Sequence, residues 1–181
     1  MGKQHESIDG RLRDFVLRQP MFFVATAPVE GHVNVSPKGM RGTFTVLDER
    51  RVAYLDYTGS GAETIAHLRD NGRITLMFCA FEGPPTIVRL YGRGTAVLPT
   101  DPRFEEALAP FGEVRRHGLR SVIVVDVDRI SDSCGFAVPL MSYEADRELL
   151  TEWASRKTDD DLDAYHQQRN ARSIDGLPAL T

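Results

Sequence analysis

The chain has 181 residues, and its 22 Lys and Arg against 26 Asp and Glu give a formal net charge of −4 at pH 7. This length suits one compact domain, and 41% hydrophobic with 27% charged residues is a globular balance that excludes a wholly disordered chain. The acidic balance disfavours a protein that coats nucleic acid, and no apolar run approaches the roughly 18 residues of a membrane-spanning helix.

The first 40 residues predict one helix followed by a β-hairpin. Residues 8–18 place apolar side chains on one face at helical spacing, and Pro20 then ends the helix. From Met21 the run MFFVATAP is rich in strand formers, and the Glu30-Gly31 pair is typical of a hairpin turn. In the following HVNVSPKG, polar residues alternate with valines, which predicts a strand with one polar face.

A second group of strands and one well-marked helix follow. Residues 43–47 and 51–58 are predicted strands, separated by the polar turn DERR. Ser60 and Glu63 have the spacing of a capping box, which predicts that a helix begins there, and an Asn-Gly pair then ends it. The apolar run ITLMFCAF at 74–81 predicts a fully buried strand.

The next segment contains two longer strands with a helix between them. A Gly-Pro-Pro turn precedes the strand 86–98, in which Gly92 and Gly94 indicate a bend, a bulge or a close backbone approach. The Asp-Pro pair at 101–102 is typical of a helix start, and the run at 121–130 predicts another apolar strand. The segment SCGFAVPLM either extends the sheet or lies beside it.

The C-terminal part is helical in character. The segments RELLTEWASRK and DDLDAYHQQRNARS both predict helices, and Thr158 with the aspartates after it gives the second helix a favourable N-terminus. The last residues, IDGLPALT, are predicted to form a tail without periodicity. Strands therefore cluster at 21–98 and 121–140 without regular alternation with helices, which predicts a mainly β, antiparallel barrel or sandwich with peripheral helices.

Familiar catalytic patterns are absent from the sequence. There is no G-x-S-x-G elbow, phosphate-binding G-x-x-x-x-G-K-[ST] loop or H-E-x-x-H motif, and the five histidines lack metal-ligand spacing, so we expect no metal site. Two cysteines cannot build a disulfide framework, and the N-terminal sequence lacks the apolar core of a signal peptide. These features predict a cytoplasmic protein without a membrane partner.

Four other segments stand out, namely HVNVSPKG, YLDYTGSGAET, RLYGRG and SCGFAVPLM. From about Met21 to Asp128, the order of FFVATAP, HVNVSPKGM, RVAYLDYTGSGAETIAHLRDNGRITLMFCAF and IVRLYGRGTAVL resembles the pyridoxamine 5'-phosphate oxidase-like superfamily, the FMN-binding split barrels. Each motif is loose by itself, whereas their order and spacing together are fairly specific. The resemblance implies a six-stranded antiparallel split β-barrel, which we assign with its peripheral helices to residues 1–145. The predicted C-terminal helices make residues 146–181 a helical extension that we expect to pack on the same domain.

The resemblance also implies a homodimer with shared cofactor sites. In the family, FMN lies in a groove at the dimer interface, and each site draws residues from both chains. The isoalloxazine ring would pack along the strand formed by Asn34, Val35, Ser36, Pro37 and Lys38. The ribityl phosphate would lie near the end of the strand 51–58 and the start of the following helix, at Tyr57, Thr58, Ser60 and Thr64. Arg89 and Arg93 of the long strand 86–98 would line the site, from the same chain or from the partner.

The residue types support part of this assignment. A helix N-terminus offers free N–H groups to a phosphate, residues 58–61 are small and flexible there, and Lys38 would stabilise a reduced anionic flavin. Glu63 departs from the family pattern, which has Arg or Lys near this helix start, because a carboxylate repels a phosphate. Either Arg89, Arg93 or a partner-chain cation supplies the missing charge, or FMN is held less tightly, or the ligand is F420 or haem instead.

Two functional hypotheses therefore stay open. The first is an FMN-dependent oxidoreductase acting on a small-molecule substrate, in which the flavin carries the chemistry and the protein supplies orientation and electrostatics. The alternative is a non-enzymatic split-barrel dimer, or one that binds F420 or haem. Pyridoxamine-phosphate oxidase activity itself is disfavoured, because the C-terminal basic and aromatic pattern that would grip the substrate phosphate is missing. The motifs also have purely structural explanations: a capping box at Ser60 and Glu63, a strand-ending turn at residues 36–39, and surface ion pairs at Arg89 and Arg93.

Overall fold

The computed structural model describes residues 2–180. In this part of the chain, eight strands form a single sheet: β1 (Gln4–His5), β2 (Phe22–Thr26), β3 (Asn34–Lys38), β4 (Phe44–Val46), β5 (Arg51–Tyr57), β6 (Arg73–Cys79), β7 (Thr86–Val97) and β8 (Leu119–Cys134). The strand order is β3-β2-β6-β7-β8-β5-β4, with β1 paired to β8. Every pairing is antiparallel, which confirms the predicted mainly β class. The count exceeds the six that the resemblance implied: seven of the eight strands match predicted segments, and β1 was not predicted.

The sheet curls so that its two halves meet across an aromatic cluster. Phe22 on β2 and Phe78 on β6 come from one half of the strand order, whereas Phe44 on β4 and Tyr54 on β5 come from the other. The ring centroids of contacting pairs are 5.0 to 5.5 Å apart. The terminal strands β3 and β4, which follow each other in the chain, lie at opposite ends of the strand order. The curled sheet is therefore left open between them.

Five α-helices surround the sheet in the described residues: α1 (Gly10–Arg18), α2 (Glu63–Asp70), α3 (Phe104–Leu108), α4 (Leu149–Ser155) and α5 (Asp159–Tyr165). A single 3₁₀ turn, Ala109–Phe111, extends α3, and a π-helical turn, His166–Asn170, continues from α5. The predicted first helix is confirmed: Asp9 caps it by accepting the N–H of Leu12 at 2.8 Å. Thr158 and Asp161 form a reciprocal capping box at α5, as the aspartates after Thr158 favoured. None of the helices described is long and apolar enough to cross a membrane.

Three local predictions were wrong or incomplete. Helix α2 has Ala62 at its N-cap and no side-chain cap, so the predicted capping box of Ser60 and Glu63 does not form. Strand β6 is not fully buried, because its residues alternate between the core and a partly exposed face. The predicted helix over DDLDAYHQQRNARS is α-helical only as far as Tyr165.

The glycines of the long strand mark a bulge, as predicted. The register between β7 and β8 shifts between Tyr91 and Gly92. Strand β8 starts two residues before the predicted one, where Tyr57 of β5 pairs with Leu119, and ends four residues after it, where β7 and β1 pair with it. Residues 135–148 then follow without regular structure beside the sheet, held there by the N–H of Met141 donating to the carbonyl of Phe81 at 3.0 Å.

Candidate functional site

A cleft of about 1440 Å³ opens beside the edge strand β3. Its walls are β3, the loop between β5 and α2, the turn at 81–84, and residues 141–150 of the C-terminal part. This volume is above the range of about 300–1,000 Å³ that is usual for small-molecule sites. The cleft is therefore large enough for a cofactor together with a small substrate.

Most of the residues predicted to bind a cofactor line this cleft. They are Asn34, Ser36, Pro37, Lys38, Tyr57, Ser60 and Thr64. Along β3, Asn34, Ser36 and Lys38 are half-buried on one face, as the alternation of HVNVSPKG indicated. The Oγ of Ser36 donates to Oδ1 of Asn34 at 3.2 Å, which orients the amide of Asn34 along this wall.

The other predicted residues lie outside the cleft. Val35 is 61% exposed and lies between the cleft-facing residues of β3. Thr58 is buried, and both its N–H and its hydroxyl donate to the carbonyl of Gly118, at 2.8 and 3.0 Å. On β7, Arg89 donates to the hydroxyl of Ser133 and Arg93 to the carbonyl of Asn71. Within a single chain, neither arginine supplies the cleft with positive charge.

A buried ion-pair network forms the floor of the cleft instead. Asp56 on β5 accepts from Nζ of Lys38 at 3.0 Å and from Nε of Arg120 on β8 at 2.9 Å. Burial alone would raise the pKa of Asp56, but the two cations outweigh it and lower the pKa to about 2. Both Lys38 and Arg120 line the cleft, so two fixed cations are held there.

Sequence reasoning missed Arg120 and Asp56. The sequence did contain one signal for them, the carboxylate of Asp56 inside the apolar strand RVAYLDY. A charge buried in such a strand must be paired with an opposite charge. That rule predicts a cationic partner without identifying it. Arg120 precedes the apolar run at 121–130 and is 64 residues from Asp56, so only the fold brings the two together.

The loop of residues 59–61 is oriented from below by two buried side chains. The carbonyl of Gly61 accepts from Nη1 of Arg120 at 2.8 Å, and the carbonyl of Gly59 accepts from Nδ2 of Asn170 at 3.1 Å. The described peptide bonds are all trans, so each carbonyl points opposite to the N–H of the following residue. The N–H group of Ser60 therefore points away from Asn170 and that of Ala62 away from Arg120, in a loop whose residues 59–61 line the cleft.

Glu63, at the start of α2, is turned toward the C-terminal tail. Its two carboxylate oxygens accept the N–H of Ile174 at 3.1 and 3.2 Å, and Oε2 lies 3.9 Å from Nε2 of His67. This contact gives the carboxylate a partner away from the loop. Glu63 still lines the cleft, so its charge adds to the local field.

Cations outnumber acids among the described residues that line the cleft. Five basic residues face three acidic ones, which are Arg18, Lys38, Arg41, Arg120 and Arg147 against Glu63, Glu82 and Asp146. One acid is engaged by the backbone, since the N–H of Arg41 donates to Oδ2 of Asp146 at 3.0 Å. With the buried Asp56 included, five cations stand against four acids, so the cleft keeps a small positive excess inside a chain whose net charge is −4, which suits an anionic ligand.

Comparison with known proteins finds one matching family model and a similar curated protein. The family model described as "Pyridoxamine 5'-phosphate oxidase" matches residues 8–134, well over half of the chain. A protein of Aspergillus flavus described as "Pyridoxamine 5'-phosphate oxidase family protein ustO" is 44% identical over 191 residues, covering 97% of this chain and 77% of its own length.

Solved structures show the same fold. HupZ from Group A Streptococcus superposes with a TM-score of 0.57 at 24% identity, covering 70% of this chain and 99% of HupZ. This likeness confirms the predicted split-barrel class. A protein of Syntrophomonas wolfei described as FMN-binding also matches, with a TM-score of 0.48 at 14% identity over 65% of this chain and 80% of its own.

Proposed function

We propose that this chain, which belongs to the pyridoxamine 5'-phosphate oxidase family, binds FMN in the cleft beside β3 and acts as an oxidoreductase on a small molecule. The observation that carries the proposal is the loop of residues 59–61, whose carbonyls are held inward by Arg120 and Asn170. The N–H groups of Ser60 and Ala62 thereby point away from those two side chains, and in our assignment they donate to the ligand.

This loop fits the phosphate of FMN. The N–H groups of Ser60 and Ala62 supply donors, and α2 begins directly after them, so its positive dipole end adds to the attraction of an anion. Arg120 lies beneath the loop, and Arg120 and Lys38 together carry one positive charge more than their shared partner Asp56 balances. The cation missing at the start of α2 is therefore supplied from β8 in our assignment, rather than by Arg89 or Arg93.

Strand β3 fits the ring system. Asn34 and Ser36 present amide and hydroxyl groups along one wall, and Lys38 is fixed by its ion pair with Asp56. An ammonium has three N–H donors, so Lys38 keeps donors for a flavin while Asp56 holds its position. Bound FMN supplies hydride and electron transfer, and a nearby cation favours its reduced, anionic form.

Ligand titration tests this proposal. We expect purified protein to bind FMN, seen as quenched flavin fluorescence and a shifted visible spectrum, and to bind riboflavin much more weakly because riboflavin lacks the phosphate. Bound flavin should then be reduced by NADH or NADPH, as an oxidoreductase requires. Absence of FMN binding would overturn the proposal, as would tight binding of F420 or haemin in its place, and equal affinity for riboflavin would overturn the phosphate assignment.

The proposal includes assembly of two chains around shared sites in the cytoplasm. Its support is family membership and the open position of the cleft beside edge strand β3. Both cysteines are free in the described chain, which suits a reducing compartment. Light scattering coupled to gel filtration should give twice the monomer mass, and a monomer that binds FMN with full affinity would contradict the shared site.

A further inference from the structure

The C-terminal tail, residues 166–180, contacts the same loop that is proposed to hold phosphate. We infer that Asn170 is a positioning residue for the loop of residues 59–61, and that docking of the tail and binding of the cofactor therefore reinforce each other. This inference rests on the proposed FMN site. It goes beyond that site because it gives a function to a segment outside the 8–134 region that the family model matches.

Asn170 is fully buried and uses both ends of its amide on the loop network. Its Nδ2 donates to the carbonyl of Gly59 at 3.1 Å, while its Oδ1 accepts from Nη1 of Arg120 at 3.0 Å. The same Nη1 of Arg120 donates to the carbonyl of Gly61 at 2.8 Å. One amide thus bridges the loop and the arginine beneath it, and removal of this amide frees the Gly59 carbonyl and weakens the hold on Arg120.

Two further contacts fasten the tail on either side of Asn170. His166 Nε2 is hydrogen-bonded to the hydroxyl of Thr58 at 2.9 Å. Farther along, the N–H of Ile174 donates to the carboxylate of Glu63. The tail therefore contacts the start, the middle and the end of the segment that runs from β5 into α2.

His166 and Asn170 are four residues apart in one helical turn, so both side chains reach the loop together. Both residues lie within this turn, and their side chains bond to Thr58 and Gly59, which are neighbours in the chain. This turn is π-helical, a conformation that is rare and often found at functional sites. Asn170 is also fixed by its own carbonyl, which accepts the N–H of Leu180 at 3.1 Å.

The loop geometry makes the coupling reciprocal. Asn170 turns the Gly59 carbonyl inward, and by peptide planarity this turns the N–H of Ser60 outward. An anion bound to that N–H stabilises the same orientation, and so stabilises the contact with Asn170. If docking of the tail increases the affinity for the ligand, bound ligand must stabilise the docked tail by the same free energy.

Substitution of Asn170 tests the positioning role. We expect Asn170→Ala and Asn170→Leu, which keeps the volume without polar atoms, to raise the dissociation constant for FMN by roughly ten-fold or more. Weak binding of riboflavin should change little, because it has no phosphate. Leu162→Ala is the matched control, since Leu162 is buried in α5 and makes none of the hydrogen bonds described for the loop. An FMN constant within two-fold of wild type in the Asn170 variants, or an equal loss in Leu162→Ala, would overturn the inference.

Hydrogen exchange gives a second readout on the wild-type protein. Saturating FMN should slow amide exchange in the tail as well as in the loop, and Asn170→Leu should speed exchange of the loop even without ligand. Tail exchange that FMN leaves unchanged would contradict the coupling. Failure of wild-type protein to bind FMN would overturn the proposed function instead, and the ligand-free exchange of the loop would then still decide whether Asn170 holds it.

Discussion

Asp56 is the residue whose ionisation matters most for this fold. Its pKa is about 2 in the folded protein against an ordinary 3.8, so its stabilising contribution is complete above about pH 5 and is lost as the pH falls toward 2. The shift corresponds to about 2 kcal/mol. We expect the free energy of unfolding, measured by urea denaturation, to fall by this order between pH 5 and 2 through Asp56 alone.

Asp56→Asn should remove this acid dependence and also destabilise the protein at pH 7. We expect a loss of about 3–5 kcal/mol, because the variant leaves Arg120 buried without its counter-charge. Asp101→Asn is the control: hydrogen bonds from Arg103 lower the pKa of Asp101 to about 2 as well, but that pair is on the surface. Equal effects of the two substitutions at pH 7 would contradict the assignment of the stabilisation to the buried network.

Residues that act through strand alternation could be predicted from the sequence, whereas residues that act through distant partners could not. The polar face of β3 followed from the HVNVSPKG pattern. Glu63 was expected to cap α2, but its carboxylate accepts the N–H of Ile174, 111 residues later in the chain. Asn170 gave no local signal at all, because both of its partners lie at least 50 residues away.

Among the elements, β7 depends on a single glycine. Gly92 lies at the bulge where the register with β8 shifts, and a Cβ placed there would overlap the backbone carbonyl of Asp126. Backbone cannot move aside as a side chain can, so we expect Gly92→Ala to lower the free energy of unfolding by about 3 kcal/mol or more. Thermal and urea denaturation followed by circular dichroism would measure this loss.

Gly94→Ala provides a comparison two residues along the same strand. A Cβ at Gly94 would lie 2.9 Å from Cδ2 of Leu68, the end of a side chain that can change its rotamer. We therefore expect a smaller loss than for Gly92→Ala. The reverse order would show that the bulge tolerates a side chain and that the close approach at Gly92 is not what requires glycine.

Elements were predicted well where periodicity was local and poorly where tertiary contacts set their limits. The alternating and β-branched runs identified β2, β3, β5 and β7. The π-helical turn after α5 could not be predicted, because its side chains bond to the loop after β5. Likewise, the C-terminal residues without periodicity form contacts of their own: Ala179 is fully buried, and its N–H donates to the carbonyl of Ala171.

At the scale of the whole molecule, the curl of the sheet is what creates the cleft. The aromatic cluster joins β2 and β6 to β4 and β5, and β3 is left as an edge with one polar face. Strand-rich composition and irregular helix placement were sufficient to predict an antiparallel barrel or sandwich. The register that brings Phe22 against Phe44 depends on contacts across the sheet, which a single sequence does not reveal.

Phe22→Ala tests this closure. Phe22 is 4% exposed and contacts the rings of Phe44, Tyr54 and Phe78, so its removal leaves a cavity shared by both halves of the sheet. We expect a loss of about 3–5 kcal/mol in the free energy of unfolding by urea, together with weaker FMN binding, because the position of β3 depends on β2. Phe136→Ala is the matched control: Phe136 is 83% exposed and should change the stability of a single chain little. A Phe22→Ala protein within 1 kcal/mol of wild type would mean that the aromatic cluster does not hold the two halves together.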